Sequence, residues 1–203
     1  MMAASGHANS AELRRRIAVE AARLISEQGL RDYHAAKLKA AQQLGLGEKA
    51  ALPRNVEIEA ALREHQRLFQ ASSQPAQLAR LREAAVEAMR FLQPFQPRLV
   101  GPVLDGTADA HSAVCLHVFS EQPERVMSFL DEHRIPFELQ DRLLRYGTNV
   151  EQRFPVLLLS ADDTVVDLTV FPLDGLRQAP QDRISDRPMQ RAGLIRLLEI
   201  LAS

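Results

Sequence analysis

The chain has 203 residues, of which 46% are apolar and 25% charged, with a formal net charge of -1; this excludes a wholly disordered or fibrous chain and fits one large domain or two small ones. No apolar run approaches the roughly 18 to 20 residues of a helical membrane span, and Arg14, Arg15 and Arg16 lead into a mixed polar pattern instead of a signal-peptide core, so a cytoplasmic protein without membrane contact is expected. The single cysteine, Cys115, excludes an internal disulfide and a cysteine-based zinc cage.

Residues 1–10 read as a loose tail. From Ala11 to Gln28 apolar residues at Leu13, Ile17, Ala21, Leu24 and Ile25 make one helical face, and Gly29 is a left-handed stop. A second helix is predicted from Asp32 to Leu44, ended by Gly45. After a loop broken by Gly47 and Pro53, Asn55 opens a third helix through Gln70, and Pro75 opens a fourth that carries Leu78, Leu81, Ala85, Met89 and Leu92 and stops before Pro94. These helices are expected either to pack as a small bundle or to wrap on the rest of the protein.

After Pro94 and Pro97 the period changes. Strands are predicted at Arg98 to Val103, Ala113 to Phe119, Phe137 to Tyr146, Phe154 to Ser160 and Thr164 to Phe171, with a helix over PERVMSFLDEHRI between the second and third. The last two strands make a hairpin candidate across Ala161-Asp162-Asp163. A loop from Pro172 to Arg187 then precedes a final helix opened by Pro188. The expected class is α+β, with a helical segment over 11–95 followed by a mixed-sheet domain with flanking helices over 96–203. Charge divides similarly: residues 1–95 hold 14 basic and 10 acidic side chains, residues 96–203 hold 11 and 16.

The stretch RLVGPVLDGTADAHSAVCLHVFS resembles the nucleotidyltransferases of the polymerase-β type, in which a strand leads to Gly-Ser, a loop follows, and a second strand bears two carboxylates one residue apart. Leu99 and Val100 match the incoming strand, Gly101-Pro102 stands at Gly-Ser, Gly106-Thr107-Ala108 matches the loop, and Ser112 precedes the second strand. The later run VVDLTVF resembles the strand that carries a third carboxylate, here Asp167. The resemblance covers about 75 residues and implies the corresponding fold.

The departures bear on chemistry. Nucleotidyl transfer needs two metal ions about 3.5 to 4 Å apart, held by hard oxygen ligands. The resemblance puts Ala113 and Cys115 at the paired-carboxylate positions, where a methyl group cannot bind magnesium and a thiol is a soft ligand. Pro102 also lacks the hydroxyl and backbone donor that the family uses at the triphosphate. The remnant site is therefore Gly101, Ser112, Ala113, Cys115, His117 and Asp167, with no metal and no cofactor expected. The leading expectation is a catalytically degenerate protein that binds a protein partner or senses a ligand, with a nucleotide as one ligand class.

Three rivals stand beside it. A transferase with a metal site rebuilt from Asp105, Asp109 or Asp167 is the first; His111 shares that loop, where Asp and His also serve plain turn chemistry. Cys115, His117 and Asp167 on one strand face also invite a nucleophilic reading, although residues two apart on a strand are separated by roughly 7 Å. The third is nucleic-acid binding through the basic half. IAVEAARLISEQGLRD resembles the opening helix of a tetracycline-repressor type domain, with a short alanine-rich helix after it. A loop from Gly45 to Arg54 then stands where a turn and recognition helix should follow, and the helix beyond it, NVEIEAALREHQRLF, begins acidic, which disfavours phosphate. Arg14, Arg15, Lys37 and Lys39 are its only support.

Overall fold

The computed structural model describes residues 3–30, 32–47, 50–69, 73–146, 150–185 and 187–202. The protein is α+β, and the chain divides into two compact units, one formed by residues 1–74 with 183–185 and the other by residues 75–182 with 186–203.

The first unit contains α1 (Ala3–Gln28), α2 (Tyr33–Gln43) and α3 (Asn55–Phe69). The tail expected over residues 1–10 is helical from Ala3, because extending a formed helix fixes fewer torsions per hydrogen bond than starting one; Met1 and Met2 lie outside the described residues, as does Gln70. Asp32 caps α2 by accepting the His34 and Ala35 N–H groups, at 2.7 and 3.2 Å. Gly29 and Gly45 take the left-handed conformation expected of helix stops. Ile17, Ala21 and Leu24 of α1 share one core with Ala36 and Ala40 of α2 and with Ile58 and Leu62 of α3.

The second unit starts at Pro75, not at residue 96. The helix α4 (Gln74–Phe91) buries Leu81, Ala85, Val86 and Met89 in the same core as the sheet, so its apolar face is satisfied there and the helical segment over 11–95 is not one body. The remaining elements are β1 (Arg98–Val100), α5 (Pro102–Asp105), β2 (Val114–Phe119), α6 (Pro123–Glu132), β3 (Phe137–Tyr146), β4 (Val150–Ala161), β5 (Thr164–Phe171) and α7 (Leu194–Ala202).

The strands form one mixed sheet in the order β1-β2-β5-β4-β3. β2 and β5 run parallel, and the other neighbours are antiparallel. The hairpin turns at Asp162-Asp163, with Asp162 left-handed at φ 49°, a conformation a short polar side chain tolerates.

Several boundaries differ from expectation: β4 begins at Val150 and not at Phe154, and α6 ends at Glu132 and not at Ile135. β1 ends at Val100 because Gly101 turns the chain and Pro102, which has no N–H, opens α5. The last helix begins at Leu194, not Met189. Ala192 exchanges backbone hydrogen bonds with Leu99 at 2.8 and 2.9 Å, and the Met189 N–H donates to Pro180 O, so this backbone is committed to strand-type pairs.

Alternation along the strands gives the sheet two unlike faces. Val114, Leu116, Val118, Val166, Leu168, Val170, Leu157 and Leu159 pack with α4, α6 (Val126, Leu130) and α7 (Leu197). Cys115, His117, Asp167 and Thr169 lie on the opposite face, where Phe119, Leu144, Phe154 and Phe171 make a smaller cluster.

Candidate functional site

The opposite face gathers the polar groups. Cys115 and Asp167 are direct partners across the parallel β2–β5 pair, as are His117 and Thr169. The strand that carries Asp167 is thus the immediate neighbour of the strand that carries Cys115.

Asp167 is already occupied. Arg142, on β3, reaches over β4 and donates Nη1 to Asp167 Oδ1 at 3.0 Å and Nη2 to Oδ2 at 2.6 Å, while Nη1 also donates to Thr169 Oγ1 at 3.0 Å. Two strand spacings, about 10 Å of backbone separation, are within the span of an extended arginine. The Asp167 side chain is only 11% exposed. Burial works against the Arg142 cation, but the hydrogen bonds and charge of Asp167, joined by Cys115, outweigh it and its pKa is raised. Reading the sequence missed Arg142. The available signal was period-two spacing in β3, which puts Arg142, Leu144 and Tyr146 on one face, with Arg142 opposite Phe154.

His117 is 3% exposed and its Nδ1 accepts a hydrogen bond from Arg191 Nε at 3.0 Å. Accepting at Nδ1 puts the proton of the neutral ring on Nε2. Burial first, then the charges of Arg191 and Arg142, push the His117 pKa down to about 3. Arg191 also donates Nη1 to Gly175 O and stacks over the Phe119 and Phe171 rings, each centroid 5.2 Å away. Its own pKa is pushed down to about 10, chiefly by burial. The Cys115, His117 and Asp167 set is therefore split: His117 is paired with Arg191 and is too weak a base to activate a thiol, and Asp167 is paired with Arg142.

The remaining candidates sit around the β1–β2 connection. Gly101 has φ 68° and ψ -153°, and a Cβ added there would stand 3.9 Å from the Cys115 Cβ. Ala113 falls one residue before β2, and its carbonyl accepts from Cys115 Sγ at 3.7 Å. Asp109 and Ser112 form a closed turn. The Asp109 carboxylate accepts the His111 N–H at 2.9 Å and the Ser112 hydroxyl at 3.1 Å, and Ser112 Oγ accepts the Asp109 N–H at 2.9 Å. Asp109 is 4% exposed, so this is turn chemistry and not an open ligand. Asp105 ends α5. Among the described residues, no three or more His, Cys, Asp or Glu side chains converge where they would hold a metal ion.

Several basic side chains of the helical unit have nearby partners. Arg15 pairs with Glu12 at 2.8 Å, Arg23 with Glu20 and Glu27, Arg63 with Glu59 and Arg67 with Glu64. Lys39 donates to Gln28 Oε1, and burial lowers the Lys37 pKa. Arg14 Nε is buried without a hydrogen-bond partner among the described residues. These pairings offset part of the positive charge that a polyanion would meet.

No family model matches the chain, and no curated protein matches it. No helix among the described residues is long and apolar enough to cross a membrane.

Proposed function

We propose that this chain is a catalytically degenerate nucleotidyltransferase-like protein that works by binding a protein partner or a ligand. The observation that carries the reading is the Arg142–Asp167 pair beside Cys115. The one carboxylate retained from the three that the resemblance implies is held on both oxygens by a guanidinium. A fixed monovalent cation thus stands against the oxygens a metal would need, and the neighbouring positions offer a methyl group and a thiol. Rebuilding the site from Asp109 is disfavoured by its commitment to the Ser112 turn.

Calorimetric titration of the full chain with magnesium or manganese, with and without a nucleoside triphosphate, tests this reading. The expected result is no metal binding at the β2–β5 face and no metal-dependent nucleotidyl transfer. Turnover that is abolished by Asp167→Asn would sink the proposal in favour of a working transferase. Binding of a nucleotide without metal would select the ligand-binding form over the protein-binding one.

A further inference from the structure

At the end of β2, a groove of about 690 Å³ opens along the sheet unit's α6, between Pro94-Phe95 and the turn after β5. Its apolar floor includes Phe95 and Phe129, whose rings meet edge-on with centroids 5.3 Å apart, and Leu173, which is 42% exposed. Phe129 also contacts the Phe91 and His133 rings, with centroids at 4.9 and 4.4 Å. Glu121, Glu124 and Glu132 stand around it, opposed by Arg125 alone. One Glu121 oxygen accepts the Leu173 N–H at 3.2 Å, which ties this rim to the floor.

We propose that this groove docks a basic segment of a partner protein, seating an apolar side chain on Phe129 and Leu173 and its Lys or Arg side chains on Glu124 and Glu132. The groove is separate from the Arg142–Asp167 pair, so its fate does not bear on the degenerate-enzyme reading. Charge complementarity selects the occupant: three carboxylates against one guanidinium repel an acidic or phosphorylated segment and attract a basic one. Spacing sharpens it. Glu124 and Glu132 lie eight residues apart on one helix, about 12 Å along its axis, which two basic residues about two turns apart on a partner helix would match, with apolar anchors between them.

The test uses the full chain and a fluorescein-labelled helical peptide carrying Lys at positions i and i+7 and Leu at i+3 and i+4, followed by anisotropy at low and moderate salt. Binding that weakens with salt is expected. The pair Glu124→Lys and Glu132→Lys should weaken it by about tenfold or more, and so should Leu173→Asp, which changes the floor from a different element. The pair Glu83→Lys and Glu87→Lys, the same charge change on exposed α4 positions, should leave it within about twofold. Equal losses from the two charge-reversed pairs would mean attraction to net charge and would overturn the proposal. Absence of binding, or full displacement by spermidine, which has the charges without the anchor, would overturn it as well.

Discussion

Arg142 and Asp167 meet two-on-two across an intervening strand, at 3.0 and 2.6 Å, with the carboxylate almost wholly removed from solvent. This is a partly buried ion pair with one extra acceptor, Thr169, and not a surface contact. Removing one partner leaves the other charged and poorly solvated. Arg142→Met should destabilise the protein by about 3 to 5 kcal/mol, whereas Arg142→Met with Asp167→Leu should recover much of that loss. Urea unfolding of the two single variants and the double variant gives the coupling directly. A loss under about 1 kcal/mol for Arg142→Met would put the pair in the class of exposed salt bridges and remove its structural role.

His117 ties stability to pH. Its folded pKa, about 3, lies below the unfolded value of 6.5, so the unfolded chain takes up a proton that the folded chain refuses. Stability from this group is complete above about pH 6.5 and falls on acidification toward pH 3, by roughly 1.4 kcal/mol per pH unit. Arg191 and Arg142 face the ring and stay charged throughout this window, so they maintain the opposition. In His117→Gln the slope between pH 6 and pH 4 should be shallower by about one proton. An unchanged slope in that variant would show that other groups control the acid limb.

Much of this arrangement was legible in the sequence because it rests on local rules. The period-two runs located all five strands, and Asp162-Asp163 located the hairpin. The run VVDLTVF was legible as a strand, and its place beside β2 was expected only from the resemblance. Two things were hidden. α4 has the same amphipathic pattern as α1 and α3, and periodicity tells that a face is buried without telling against what. Arg142 did not stand out in the sequence, since its partner lies 25 residues away across β4 and only the register brings them together.

Gly101 tests the turn that ends β1. Its φ of 68° with ψ of -153° is a region that side-chain-bearing residues avoid. An added Cβ would meet only the Cys115 Cβ at 3.9 Å, an ordinary contact, so the cost of Gly101→Ala is conformational and not steric. That cost should be about 1 to 3 kcal/mol, readable as a lower midpoint of thermal or urea unfolding. A neutral substitution would mean that the turn relaxes and does not enforce the short β1.

The last prediction separates missing ligands from a blocked site. Ala113→Asp with Cys115→Asp restores the two carboxylates that the resemblance calls for, next to Asp167 on the neighbouring strand. If ligands alone were lacking, this double variant would bind manganese. The position of Arg142 argues otherwise, because its guanidinium already holds both Asp167 oxygens and its charge opposes a divalent cation at close range. The new carboxylates should be drawn into the arginine's field instead. Adding Arg142→Gln removes that competitor, so the triple variant should bind manganese at least tenfold more tightly than the double variant, a difference of about 1.4 kcal/mol. Manganese electron paramagnetic resonance on the two variants at equal concentration reads free against bound ion. Equal affinity in both would show that Arg142 does not block the site, and the absence of carboxylates at positions 113 and 115 would then suffice to explain the lack of metal binding. Binding in the triple variant without transfer would still be expected, since Pro102 supplies neither hydroxyl nor backbone donor for a triphosphate.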